Sequence, residues 1–148
     1  MSLALMTVDD RVAVSGQLQP GDMKAVASAG YVAVINNRPD GEAMLGQPRT
    51  AALRNAAEAA GLLFLDLPFS GPRATPEQVR IFATLLAERE GKVVAFCKSG
   101  LRSALLWGAA ALVQDRPLDE VLTADRQAGQ DLGPVREIMV GLAQAARR

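Results

Sequence analysis

VVAFCKSGLRS, residues Val93–Ser103, contains the only cysteine of the chain. Its first four residues, Val93, Val94, Ala95 and Phe96, form a short apolar run suited to a buried strand. The run ends in Cys97, and Lys98, Ser99, Gly100, Leu101, Arg102 and Ser103 lead directly into a helical pattern. A strand therefore delivers a thiol to a loop that wraps into a helix N-terminus. Such a loop gathers backbone N–H groups around one point and adds the positive end of the helix dipole. A thiol there is expected to ionise readily and act as a nucleophile. The same cradle suits a phosphate, a sulfate or a persulfide. The plainer reading of Cys97 is a buried inert thiol, since free cysteine is commonly buried. For Arg102 it is a surface arginine, but a helix N-terminus is a poor place for a cation unless an anion binds there.

The sequence on either side alternates strand and helix. Arg11–Ser15 reads as a strand, and Pro20 with Asp22 starts a helix that runs to Ala29 and stops at Gly30. Tyr31–Asn36 is a β-branched, apolar strand, followed by the polar turn residues Asn37–Glu42. A helix over Gln47–Ala60 and a strand over Leu62–Phe69 come next. Thr75-Pro76 reads as an N-cap and first helical position, for a helix to about Glu90. After the Cys97 loop, helices are expected over Ser103–Asp115, Leu118–Leu122 and Pro134–Ala146. This order predicts one α/β domain over residues 1–148, with a mostly parallel sheet of four or five strands flanked by helices. Sites in such sheets form beyond the carboxyl ends of the strands. Cys97, the Asn36–Glu42 loop and Ser70–Arg73 all lie at such ends. Trp107, on the helix after the loop, is expected in the core.

Composition narrows the chemistry. The chain has 148 residues, 16 basic and 16 acidic side chains and no histidine. Zero net charge gives no indication of nucleic-acid or membrane binding. No targeting segment and no membrane-length apolar run is read, so a cytoplasmic location is expected. No signal for an oligomeric state is read. One cysteine and no histidine argue against a metal site, and no cofactor is indicated. Ser-His-Asp and Cys-His arrangements are excluded. Activation of Cys97 falls to backbone dipoles, Lys98 and Arg102.

The strand–Cys–loop–Arg–Ser–helix arrangement resembles both the cysteine-dependent tyrosine and dual-specificity phosphatases and the rhodanese sulfurtransferases. VSGQLQPGD (Val14–Asp22), VINNRPDGE (Val34–Glu42), LDLPF, FCKSGLRSALLW (Phe96–Trp107) and AGQDL (Ala128–Leu132) together resemble the bacterial beta-lactamase-hydrolase-like phosphatase family. That resemblance implies a tyrosine-phosphatase-like fold. It also implies Cys97 as nucleophile, Arg102 as the bidentate oxyanion clamp and Ser103 as the hydroxyl that stabilises the departing thiolate. Lys98, Ser99, Gly100 and Leu101 would supply loop N–H groups, and Arg38 a second anion contact. The plainer reading of Asn36, Asn37 and Arg38 is turn chemistry.

Two departures from the phosphatase pattern bear on function. Four residues separate Cys97 from Arg102, where those phosphatases have five and many rhodaneses four. Phe96 stands where phosphatases usually carry histidine. The general acid is also displaced: Ser70, Gly71, Pro72 and Arg73 include no acid, which leaves Asp66 within the strand, or Asp40 and Glu42 in the neighbouring loop. The plainer reading of Asp66 is a strand-end carboxylate paired with a cation. Gln127, Gln130 and Asp131 read as a solvated helix connection that lies near the site. Three functions remain open: a phosphatase-like hydrolase of phosphorylated substrates, a sulfurtransferase acting on sulfane-sulfur substrates, and an anion- or phosphopeptide-binding module.

Overall fold

The computed structural model describes residues 3–148. Among them, five strands form one sheet: β1 Met6–Thr7, β2 Val12–Ser15, β3 Tyr31–Asn36, β4 Leu63–Asp66 and β5 Lys92–Phe96. The spatial order is β1-β2-β5-β3-β4. β1 pairs antiparallel with β2, and every other pair is parallel. The helices are α1 Met23–Ser28, α2 Thr50–Ala59, α3 Pro76–Glu88, α4 Leu101–Val113, α5 Leu118–Gln127 and α6 Arg136–Ala146.

Alternation along the strands divides the core in two. Val93 and Ala95 join Ile35, Phe82, Leu106, Trp107 and Met139 on the face covered by α3, α4 and α6. Val94 and Phe96 join Val34, Phe64, Met23 and Leu53 on the face covered by α1 and α2. The two central strands, β5 and β3, are buried on both sides, so their sequences are continuously apolar rather than alternating. This places Cys97 at the end of the most enclosed strand of the sheet.

Several boundaries follow from local chemistry. The Thr75 side chain accepts from the Gln78 N–H, and Gln78 reaches back to the Thr75 N–H, which fixes the start of α3. The expected helix at Gln47 begins instead at Thr50, because Gln47 is used in the preceding loop, accepting from the Ala43 N–H and donating to the Pro39 carbonyl. The expected strand Leu62–Phe69 keeps ladder pairing over Leu63–Asp66. The helix expected over Leu118–Leu122 continues to Gln127. Met6–Thr7 is an added strand too short to carry a periodic signal.

Candidate active site

β5 ends at Phe96, and the Cys97 N–H donates to the Ser15 carbonyl of the neighbouring strand. Gly100, at φ +99°, turns the chain into α4 as its N-cap. An L side chain rarely adopts that angle, so glycine at this position has a direct conformational reason. The Gly100 N–H points at the Cys97 sulfur, at 3.1 Å. Lys98, Ser99, Leu101 and Arg102 line a cleft of about 610 Å³, with Arg38, Glu42, Pro72 and Val135 also on its walls. Cys97 lies beneath these residues and is 1 % exposed. The sulfur is therefore deeply seated, at the end of a loop with four residues between Cys97 and Arg102.

Arg102 is fixed from outside the cradle. Its two terminal nitrogens donate to the two Glu42 carboxylate oxygens at 2.7 and 2.9 Å. Nη1 also donates to the Phe69 carbonyl at 3.1 Å. Glu42 thus occupies the end-on edge of the guanidinium. The side-on edge, Nε with Nη2, is the one through which an oxyanion can be held bidentately. The hydrogen bond to Glu42 holds Arg102 above its ordinary pKa against the opposing effect of burial, and its proximity to Cys97 adds to the rise.

Arg38 is buried and lines the cleft. Its Nε donates to Glu42 Oε1 at 2.9 Å and its Nη1 to Gln17 Oε1 at 2.9 Å. Glu42 therefore sits between two guanidiniums. Arg102 first, then Arg38, draws its carboxyl down to about 2 against the opposing effect of burial. A group ionised at every working pH holds no proton to give, so the expectation of Glu42 as an acid gives way to Glu42 as an acceptor. Asp40 is spent on the Thr50 N–H and hydroxyl at the start of α2.

Asp66 and Ser103 are both engaged away from the sulfur. Asp66 has the strand parity of Phe64, which packs on the α1 and α2 side, whereas Cys97 continues the parity of Val93 and Ala95 on the opposite side. Asp66 accepts from Asn36 Nδ2 at 2.8 Å and does not line the cleft. The same nitrogen donates to the Arg38 carbonyl, so Asp66 helps shape the Arg38 turn. The buried Ser103 hydroxyl donates to Asn37 Oδ1 at 2.8 Å. Its single proton is thereby directed away from the sulfur. Asn37 in turn donates to the Leu67 carbonyl, tying α4 to the ends of β3 and β4.

Gln130, expected in a solvated helix connection near the site, is instead drawn onto the Cys97 loop. Its backbone N–H is tied to the Asp125 carbonyl, and its side chain is nearly buried and donates to the Ser99 carbonyl at 3.1 Å. The AGQDL motif was visible, but its contact with a loop 31 residues away depends on the packing of α5. Gln127 and Asp131 are exposed, as a solvated connection requires.

Comparisons with known proteins bear on the family and the fold. Residues 4–114 match the family "Beta-lactamase hydrolase-like protein, phosphatase-like domain". The Beta-lactamase hydrolase-like protein of Agrobacterium fabrum is 38 % identical over 100 residues, which are 68 % of this chain and 23 % of that protein. The chain thus spans about a quarter of that relative's length. A solved candidate phosphatase from Neisseria meningitidis Z2491 superposes with a TM-score of 0.81 at 30 % identity, covering 95 % of this chain and 99 % of the other. Tk-PTP in its active form shares the fold, with a TM-score of 0.77 at 23 % identity over 97 % and 99 % of the two chains. The fold is thus the α/β fold of tyrosine-phosphatase-like enzymes, and the chain belongs to the beta-lactamase hydrolase-like, phosphatase-like domain family.

Proposed function

We propose that the protein is a cysteine-dependent phosphatase acting on phosphate monoesters. The observation that carries this reading is the Cys97–Arg102 cradle, one sulfur below a fixed guanidinium and a helix N-terminus, in a chain of a phosphatase-like family. The Cys97 thiolate attacks phosphorus as the bond to the leaving oxygen breaks. Arg102 and the loop N–H groups hold the phosphoryl oxygens. Water then attacks the phosphocysteine, the phosphorus–sulfur bond breaks, and phosphate leaves with the thiolate restored. Asp66 and Asp40 are engaged outside the cleft and Glu42 is ionised, so the leaving oxygen takes its proton from water. Aryl phosphates, whose leaving groups need little protonation, are therefore the better substrates.

A second reading is favoured by the seating of the sulfur. A persulfide on Cys97 needs less room than a phosphoryl group and no general acid. The chain would then pass sulfur from a sulfane donor to an external thiol. Phosphate release from an aryl phosphate and sulfur transfer from thiosulfate to cyanide, measured on the same preparation, separate the two. Phosphate release without sulfur transfer is expected, and the reverse result overturns the phosphatase reading.

Glu42 is expected to act through Arg102. Replacing Glu42 with alanine frees the guanidinium to turn, and lowers kcat/KM for an aryl phosphate by about 10- to 100-fold. Because the Glu42 carboxyl lies at about 2, the wild-type clamp persists through mildly acidic solution. Glu42→Gln is expected to lose activity at all pH values, leaving the shape of the pH–rate profile unchanged. A profile that loses its basic limb, the mark of a missing general acid, overturns the positioning role.

A further inference from the structure

We propose that Gln130 is a positioning residue that sets the direction of the Gly100 N–H toward the Cys97 sulfur. The inference rests on the reading of Cys97 as nucleophile and adds a control on it from the α5–α6 connection.

One peptide unit carries both contacts. The Ser99 carbonyl and the Gly100 N–H belong to the same peptide plane, and in a trans peptide they point in opposite directions. The carbonyl accepts from Gln130 Nε2 at 3.1 Å on the outside of the loop. The N–H donates to Cys97 Sγ at 3.1 Å on the inside. Holding one end fixes the other. The preceding carbonyl, of Lys98, is held outward in the same way by the Gln17 N–H at 3.4 Å.

An external hold is needed here because of Gly100. Glycine accepts positive and negative φ with nearly equal ease, so local sterics do not choose between two orientations of the 99–100 peptide. In the flipped orientation the Ser99 carbonyl would face the sulfur, and its partial negative charge would oppose a thiolate. The Gln130 amide selects the orientation that presents a donor.

Packing supports the assignment. A Cβ on Gly100 would lie 2.8 Å from Gln130 Nε2 and 3.0 Å from Met6 Cε. Gln130 and Met6 therefore form the outer wall of the cradle at this residue. Gln130 Nε2 also approaches the Met6 sulfur at 3.8 Å. That contact gives the short strand β1 a part in the site that its length alone does not suggest.

The test uses the intact chain and the reaction of its only cysteine with iodoacetate, an anion of the charge that the cradle would bind. Gln130→Met keeps the length of the side chain and removes the donor. It is expected to lower the alkylation rate at neutral pH about tenfold, the effect of losing one hydrogen bond to a charged group. In Gln130→Glu, the carboxylate faces the Ser99 carbonyl and the rate falls further at pH 7. When that carboxyl is protonated it can donate again, so the ratio of variant to wild-type rate rises toward one as the pH falls to about 5. The Gly100 amide proton, followed by NMR in 15N-labelled protein, is expected to move upfield in Gln130→Met. This second readout does not depend on reactivity. Wild-type alkylation rates and an unmoved Gly100 resonance in folded variants overturn the proposal. If wild-type Cys97 is itself inert to iodoacetate and the protein releases no phosphate, the nucleophile reading fails, and the proposal with it. If Gln130→Met does not fold, the pH-dependent ratio in Gln130→Glu decides; a flat ratio overturns the proposal.

Discussion

Cys97→Ser is expected to remove phosphatase turnover by at least about a thousandfold while leaving anion binding in place. The two effects separate because different atoms carry them. In the proposed reaction phosphate is held by the Arg102 guanidinium, which Glu42 and the Phe69 carbonyl fix, and by N–H groups of the loop, of which the substitution alters directly the contact made by the Gly100 N–H. The bond to phosphorus requires the sulfur. A serine hydroxyl in the same place has no base to take its proton, since the chain has no histidine and Ser103 is directed at Asn37. The smaller oxygen also sits further from a substrate than the sulfur, which is already deeply seated. Phosphate release from an aryl phosphate, with phosphate binding followed by calorimetry, checks both halves. Retained turnover in Cys97→Ser overturns the phosphocysteine path. Joint loss of binding and turnover shows that the sulfur is needed to build the cradle, not only to react in it.

The parts of this site legible in sequence were those set by short-range chemistry. The apolar runs Tyr31–Asn36 and Val93–Phe96 announce buried strands because both of their faces are covered. Gly100 between Cys97 and Arg102 announces the turn because only glycine takes its angle easily. Thr75-Pro76 announces α3 because the cap is built from neighbours in sequence. The partner of Arg102 was not legible. Glu42 lies 60 residues earlier, in a loop whose path depends on Asp40 capping α2 and on Gln47 bridging the loop. Nor could the direction of Asp66 be read, since it depends on which sheet face carries α4. Ser103 was assigned to the sulfur by resemblance, and the buried Asn37 oxygen, another acceptor in reach, takes its proton. Such choices arise from packing between elements, which periodicity along the chain does not encode.

Asp125 is expected to make the protein less stable as the pH rises from about 4 to 8, and Asp125→Asn is expected to remove that dependence. The side chain is 0 % exposed, and neither of its carboxylate oxygens has a hydrogen-bond partner among the described residues. It lies within α5 against α4, where a Cβ on Gly108 would meet its Oδ2 at 3.5 Å and the Met139 sulfur at 2.4 Å. Burial in these surroundings raises its pKa from an ordinary 3.8 to about 8. The direction of the effect follows from linkage. Below about 4 the carboxyl is protonated in both folded and unfolded chains, and the full stability is present. Above that, the unfolded chain ionises while the folded one stays neutral, so unfolding becomes easier until the folded group also ionises near 8. The slope is at most about 1.4 kcal/mol per pH unit, or roughly 3 kcal/mol between pH 5 and 7.5. That is a large share of the ~5–15 kcal/mol that holds an ordinary domain together. With no histidine, the Cys97 thiol is the other side chain placed to titrate in this window, and it is common to both proteins, so the difference between wild type and Asp125→Asn isolates Asp125. Urea unfolding at pH 5, 6 and 7.5 should show a falling midpoint for the wild type and a level one for Asp125→Asn. Equal slopes in the two proteins would show that Asp125 is ionised in the folded state and that α5 opens to solvate it.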